Sequence, residues 1–126
     1  MAEGFAKEFG KGLIEVHSAG LMAAGVNRRA TEVMKEVGID ISNQVSKEID
    51  EDFLGQMDIV VTLCGHAEEF CPRTPPKIKR FHWPIQDPVG TIGTEEEIMN
   101  EFRRARNEIK ERVQRLIEII VSNQYL

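Results

Sequence analysis

Helical and strand-like patterns alternate along this chain of 126 residues, and this alternation restricts the fold more than any other feature. Apolar residues spaced by three and four predict helices, whereas apolar residues at every second position predict strands. The predicted elements, in chain order, are a helix, a strand, a helix, two strands and a helix: Met1–Phe9, Leu13–His17, Arg28–Val37, Asp58–Leu63, Lys77–Trp83 and a last helix that follows Thr94. This order is typical of a parallel sheet with helices on both faces. The sequence therefore predicts an α/β fold in a single domain over residues 1–126.

Polar capping residues indicate where two of the helices begin. Asn27 is a favourable N-cap for the helix that starts at Arg28. Thr94 precedes three glutamates, whose charges suit the positive end of a helix dipole. The last helix carries one apolar stripe, which predicts its buried face: Ile98, Phe102, Ala105, Ile109, Val113, Leu116, Ile117 and Ile120. Its arginines, Arg103, Arg104 and Arg106, are expected to form a solvated face, or at most a patch for an acidic partner.

Composition and charge exclude several classes of protein. The hydrophobic share of 41% and the charged share of 29% are ordinary for a globular domain. A net charge of -5 argues against nucleic acid or an acidic membrane surface as a partner. No apolar run approaches the ~18–20 residues that span a bilayer, and Met1–Lys7 lacks the apolar stretch of a signal peptide. The predicted location is the cytoplasm.

The two cysteines, Cys64 and Cys71, are the first candidates for chemistry. Cys64 follows a predicted strand, and open α/β sheets place their active sites at the carboxyl ends of strands. In a cytoplasmic chain the two residues are expected to be reduced thiols, catalytic or structural, rather than a permanent disulfide. A disulfide requires α-carbons within about 7 Å, whereas seven extended residues span ~23 Å. The segment between them would have to fold back, and Gly65 makes that easier.

Simpler interpretations exist for the same residues. Cys64 alone fits a buried structural thiol, because free cysteine behaves as a small hydrophobic residue. Asp87, which precedes a proline, is a common turn signal. A zinc site is conceivable from two cysteines and two histidines: Cys64, His66, Cys71 and His82. Their spacing matches no usual structural zinc pattern, so no metal site is predicted.

Five segments together resemble one enzyme family. They are Met1-Ala2-Glu3-Gly4, Ser18-Ala19-Gly20, Glu36–Ser42, Val60–Cys64 and Asp87-Pro88. This set is similar to the thioredoxin-coupled arsenate reductases, which share their fold with the low-molecular-weight protein tyrosine phosphatases. The resemblance covers essentially the whole chain, and the cysteine pair followed by the Asp-Pro step is its most discriminating part. It implies a three-layer fold with a four-stranded parallel sheet.

The resemblance implies reduction of arsenate to arsenite without a cofactor. In the family, a first cysteine in a Cys-x5-Arg loop attacks the oxyanion. By position, Cys64 matches the second cysteine, which takes over the arsenic adduct, and Cys71 matches the third, which closes a disulfide with it. Thioredoxin then reduces that disulfide, and Asp87 matches the general acid of the oxyanion step. The alternatives are a low-molecular-weight tyrosine phosphatase and a non-catalytic module that senses oxyanions or thiols.

The sequence departs from the family in two places. Neither cysteine begins a Cys-x5-Arg sequence, and the family's loop and central first strand come directly before the residues that match Met1–Gly4. We therefore expect Met1 to be an internal methionine taken as a start, and the chain as written to be inactive and poorly stable or self-associating. The second departure concerns a potassium site of some members, where Glu3 and Ser18 match ligands but Lys47 replaces an acid. The lysine ammonium could stand in for the cation, so no bound metal ion is expected.

Overall fold

The computed structural model describes residues 1–19, 27–44, 47–63, 74–86 and 88–123. Four helices and two strands lie in these ranges: α1 (Ala2–Phe9), α2 (Arg28–Lys35), α3 (Glu51–Leu54), β1 (Ile59–Thr62), β2 (Lys79–His82) and α4 (Glu95–Asn123). The predicted α/β class is confirmed. Five of the six predicted elements are present, and their ends differ from the prediction by one or two residues.

The strands β1 and β2 pair in parallel. Their register runs from Ile59 beside Lys79 to Thr62 beside His82. Backbone pairing continues past the strands, because the Trp83 amide donates to the Thr62 carbonyl (2.8 Å) and the Ile85 amide donates to the Leu63 carbonyl (3.0 Å). Within the described ranges this pair forms the sheet, and it ends next to the positions that the sequence singles out.

The predicted caps form hydrogen bonds. The Asn27 Oδ1 accepts from the backbone amides of Arg29 (2.8 Å) and Ala30 (3.2 Å) at the start of α2. The Thr94 Oγ1 accepts from the Glu97 amide (3.1 Å) at the start of α4. Each cap satisfies amides that have no partner within their own helix, an effect that typically stabilises a helix by about 1 kcal/mol.

The core lies where α1 and α2 pack on the apolar face of α4. The predicted stripe of α4 is confirmed, since it is buried apart from the partly buried Ile98 and Leu116. Phe5 of α1 and Val33 and Met34 of α2 are fully buried against it. Because a Cβ on Gly4 would lie 2.8 Å from Ile41 Cγ2, the packing of α1 requires glycine there. Trp83, which follows β2, is buried as well.

The predicted strand Leu13–His17 is wrong. After α1 the chain turns, because the amides of Leu13 (2.9 Å) and Ile14 (3.1 Å) both donate to the Gly10 carbonyl. Residues 14–17 then have no regular structure. A strand is stable when its backbone groups pair with a neighbouring strand, and β1 and β2, the strands of the described ranges, pair with each other instead.

The solvated face predicted for the arginines of α4 is wrong for Arg106, whereas Arg103 and Arg104 are partly exposed. Arg106 is buried, and its Nη1 donates to the Val33 carbonyl (2.9 Å) and to Glu36 Oε1 (2.7 Å). Arg103 grips the same carboxylate from Nε (3.0 Å) and Nη2 (2.8 Å). We call Glu36, Arg103 and Arg106 the α2–α4 cluster, because it fastens the end of α2 to α4.

Candidate functional site

The three residues predicted to carry the chemistry, Cys64, Cys71 and Asp87, lie outside the described residues. Their roles therefore stay predictions. The residues bonded to Cys64 and Asp87 on their described sides are Leu63, Gln86 and Pro88, and the contacts of these neighbours define the candidate site.

The carboxyl ends of β1 and β2 form one side of the site. Leu63, which is bonded to Cys64, accepts a hydrogen bond from the amide of Ile85, which is two positions before Asp87. One residue earlier, the buried Thr62 hydroxyl lies 2.8 Å from His82 Nδ1. The segments that lead to Cys64 and to Asp87 therefore leave the sheet side by side, at the edge where α/β proteins place their chemistry.

The neighbours of Asp87 are held on both sides. On the amino side, Arg104 of α4 donates from Nη2 to the Gln86 carbonyl oxygen (3.1 Å). On the carboxyl side, Pro88 is buried, and its carbonyl accepts from the Thr91 hydroxyl (2.7 Å) and the Thr91 amide (3.2 Å). The residues immediately before and after Asp87 thus each have a hydrogen-bond partner.

Arg104 uses all three of its nitrogens. Nε donates to Glu101 Oε2 and Nη1 donates to Glu108 Oε2, both at 2.9 Å, which leaves Nη2 for Gln86. Glutamates three positions before and four positions after an arginine predict surface ion pairs along a helix. Nothing in that spacing reveals the contact with a loop 18 residues away, so sequence reasoning missed Arg104.

A second polar site lies at α1. Glu3, Lys7, Asp40, Asn43, Gln44 and Lys47 line a cavity of about 340 Å³. The buried Glu3 accepts from the Ser18 hydroxyl (2.5 Å) and pairs with Lys7 Nζ (2.8 Å). Burial alone would raise the pKa of Glu3, but these hydrogen bonds and the charges of Lys7 and Lys47 lower it below its usual value. Glu3 is therefore an ionised carboxylate with lysine counterions, and the sequence analysis did not name Lys7 as its partner.

A family described as low molecular weight phosphotyrosine protein phosphatase matches residues 1–125. The chain belongs to this family. Its parallel β1–β2 pair and the helices of the described ranges agree with an α/β fold.

Two relatives that are similar to this chain are arsenate reductases. The protein of that name from Bacillus subtilis (strain 168) is 52% identical over 118 residues, which cover 94% of this chain and 85% of the relative. The arsenate reductase of Halalkalibacterium halodurans is 48% identical over the same length and shares.

Solved structures give the same picture. An arsenate reductase in an oxidized state is 40% identical and superposes with a TM-score of 0.80, covering 94% of this chain and 86% of that one. A reduced-state structure has the same identity and coverage and a TM-score of 0.73. A low molecular weight protein tyrosine phosphatase from T. tengcongensis is 25% identical over 93% of this chain and 87% of its own, with a TM-score of 0.75.

Two kinds of feature are absent from the described ranges. They contain no helix long and apolar enough to cross a membrane. They also contain no group of three or more His, Cys, Asp or Glu side chains arranged to hold a metal ion.

Proposed function

We propose that this protein reduces arsenate to arsenite, that Cys64 and Cys71 supply the two electrons, and that thioredoxin returns the pair to thiols. The observation that carries the proposal is the 52% identity with an arsenate reductase over 94% of the chain. Arsenate reductases of this fold are described in reduced and oxidized states and in a phosphate-binding state. Those descriptions fit a redox-active protein that binds a tetrahedral oxyanion.

The electron balance requires two thiols. Arsenic(V) gains two electrons when it becomes arsenic(III), and two thiols lose two electrons when they become a disulfide. Cys64 and Cys71 are the cysteines of this sequence, and they are the pair that we assign to the final disulfide. A thiolate is the attacking species in each exchange step, so a cysteine at the end of β1 needs only a lowered pKa to react.

Asp87 is the proposed general acid. The carbonyl groups of its neighbours Gln86 and Pro88 accept hydrogen bonds, and the Ile85 amide donates a hydrogen bond to Leu63, the residue before Cys64. A carboxylic acid held at such a place can donate a proton to the oxygen that leaves arsenic. Neither cysteine of these 126 residues begins a Cys-x5-Arg sequence, so the cysteine that attacks the oxyanion in the family is not among them.

The proposed place of action is the cytoplasm, as one domain. A cysteine pair that must return to thiols after each turnover requires a reducing compartment, which glutathione and thioredoxin provide there.

The test is arsenate-dependent oxidation of thioredoxin by the protein as its gene encodes it. We expect turnover that stops when either Cys64 or Cys71 is changed to serine. Because each serine variant lacks one cysteine of the pair, mass spectrometry should find no Cys64–Cys71 disulfide in the variant chain. Arsenate-dependent turnover that survives both substitutions would contradict the proposal.

A phosphatase is the second candidate, and the description of the matching family favours it. Hydrolysis of p-nitrophenyl phosphate separates the two functions, because it needs no electron donor. A rate that does not depend on Cys64 or Cys71, combined with no reduction of arsenate, would favour the phosphatase.

A further inference from the structure

We propose that Arg104 is a positioning residue for the oxyanion step, because it holds the backbone of the loop that carries Asp87. This inference rests on the proposed function, in which Asp87 is the general acid. It adds a residue on α4 to the cysteines and the aspartate, which the sequence had already indicated.

The contact itself is the first argument. Arg104 Nη2 donates to the carbonyl oxygen of Gln86 at 3.1 Å, and Gln86 is bonded to Asp87. A bond to a backbone carbonyl fixes the path of the chain, whatever side chain the residue carries. Restraining this carbonyl therefore restrains the peptide bond that leads into Asp87.

The rigidity of the arginine is the second argument. Its Nε and Nη1 are each held at 2.9 Å by a glutamate of the same helix, Glu101 and Glu108. A planar guanidinium that donates hydrogen bonds from two of its nitrogens has its third nitrogen oriented in a fixed direction. The side chain is about one third exposed, which leaves it accessible but not free to swing.

The local charge is the third argument. One positive guanidinium lies between two carboxylates, so the trio carries about one net negative charge. A trio of this kind is a poor site for a second anion such as arsenate. Arg104 is therefore suited to holding the loop and not to binding the oxyanion.

The opposite side of Asp87 completes the argument. The Pro88 carbonyl accepts from the hydroxyl and the amide of Thr91, and the Ile85 amide donates to Leu63 at the end of β1. With Arg104 on Gln86, the residues on both sides of Asp87 have a fixed partner. Placing a proton donor within hydrogen-bond reach of a leaving oxygen requires such fixed geometry.

The test compares Arg104→Gln with Arg103→Gln. Both substitutions remove an arginine of α4 that pairs with glutamate, but Arg103 pairs with Glu36, whereas Arg104 also donates to the Gln86 carbonyl. The protein as its gene encodes it is reduced and mixed with arsenate without thioredoxin, and arsenite release is followed over one turnover. We expect Arg104→Gln to slow the rate at saturating arsenate about 10-fold or more, with little change in the arsenate concentration that gives half the rate. Arg103→Gln should change the rate less than about 2-fold.

A double-substitution cycle with Asp87→Asn separates positioning from general damage. If Arg104 acts through Asp87, adding Arg104→Gln to Asp87→Asn should slow the step by less than about 2-fold further. Reduction of the Cys64–Cys71 disulfide by thioredoxin should keep its rate. Should Arg104→Gln fail to fold, Arg104→Lys, which keeps the charge and one donor, takes its place in the cycle.

Three results would overturn the inference. Arg104→Gln could be no slower than Arg103→Gln, or its loss could persist in full beside Asp87→Asn. In these two cases Asp87 keeps its proposed role and only the positioning role fails. If Asp87→Asn itself does not slow the step, the general acid assignment fails and the inference fails with it.

Discussion

Arg104 and its neighbours on α4 hold two different parts of the molecule, although the three arginines lie within four positions of each other. In the α2–α4 cluster, Arg103 and Arg106 converge on Glu36 and, from Arg106, on the Val33 carbonyl. Both partners belong to α2 or its end. Arg104 instead reaches the Gln86 carbonyl beside Asp87.

The difference separates stability from function. Arg106 is 9% exposed, and removing it would leave the buried Val33 carbonyl with one partner fewer and Glu36 with a weaker ion pair. Arg104 donates to the Gln86 carbonyl, beside the proposed acid, so we expect its loss to change the reaction rate more than the stability. Arginines with similar sequence surroundings can therefore serve different purposes, and the structural contact decides which.

The largest effect on the rate of arsenite release should come from substitution of Asp87, the residue next to the Arg104 contact. We expect Asp87→Asn to slow single-turnover arsenite release by about 10²-fold or more, the usual size for a positioned acid. Thioredoxin should reduce the disulfide of the variant at the normal rate, since that step needs no proton for a leaving oxygen. Asp52→Asn, an exposed aspartate of α3, is the control. Equal losses in the two steps would mean that Asp87 is structural.

The α2–α4 cluster should respond in stability. Arg106→Met keeps much of the buried volume but removes three hydrogen bonds, one of them to a carboxylate, so we expect a loss of about 2–3 kcal/mol in the free energy of unfolding. Arg104→Gln, which breaks half-exposed pairs, should lose less than about 1 kcal/mol. Urea unfolding of the two variants provides the comparison. An equal loss of stability in both variants would contradict the proposed difference between the α2–α4 cluster and Arg104.

Acid should weaken the α2–α4 cluster through Glu36. Hydrogen bonds from Arg103 and Arg106 lower the pKa of Glu36 from its usual 4.5 to about 2. Because the folded-state pKa is the lower one, the stabilisation is complete above about pH 4.5 and is lost as the pH falls toward 2. Glu36 is more than one third exposed, so solvent reduces the size of this effect. Glu36→Gln should flatten the dependence of the unfolding midpoint on pH in that window; an unchanged slope would contradict the assignment.

The smallest effect should come from the other anchor of the loop. Thr91→Val removes the hydroxyl that donates to the Pro88 carbonyl but keeps the hydrogen bond from the Thr91 backbone amide to the same carbonyl. We expect arsenite release to slow about 3-fold, because one of two donors remains. Thr31→Val, which removes a similar hydroxyl-to-carbonyl bond at the start of α2, is the matched control. Equal rates for the two variants would show that this side of Asp87 needs no hydroxyl.

Local signals account for the parts of the fold that the sequence predicted. Asn27 and Thr94 marked the starts of α2 and α4 because a cap is decided by residues within one turn. The apolar stripe from Phe102 to Ile120 predicted the buried face of α4 for the same reason. The alternating pattern of Leu13–His17 resembled a strand, but whether a strand forms depends on a neighbour that the pattern does not contain.

The sequence indicated residues for the candidate site but not the contacts of their neighbours. Cys64 was indicated by its position after a predicted strand and by the family resemblance, Asp87 by the Asp-Pro step of that resemblance, and both roles stay predictions. The contact from Arg104 to Gln86 joins a helix to a loop through a backbone carbonyl, and no side-chain type at position 86 could announce it. Glu3 and Lys7 lie four residues apart on α1, a spacing that favours an ion pair, so this contact could have been predicted from the sequence.

The central claim, a redox pair of Cys64 and Cys71, is tested most directly by mapping thiols after oxidation. The reduced protein is treated with a mild oxidant, digested and examined by mass spectrometry before and after incubation with reduced thioredoxin. We predict a peptide pair linked by a Cys64–Cys71 disulfide within one chain, which thioredoxin converts back to two free thiols. Two thiols that stay free after oxidation, or disulfides that form only between chains, would contradict the account.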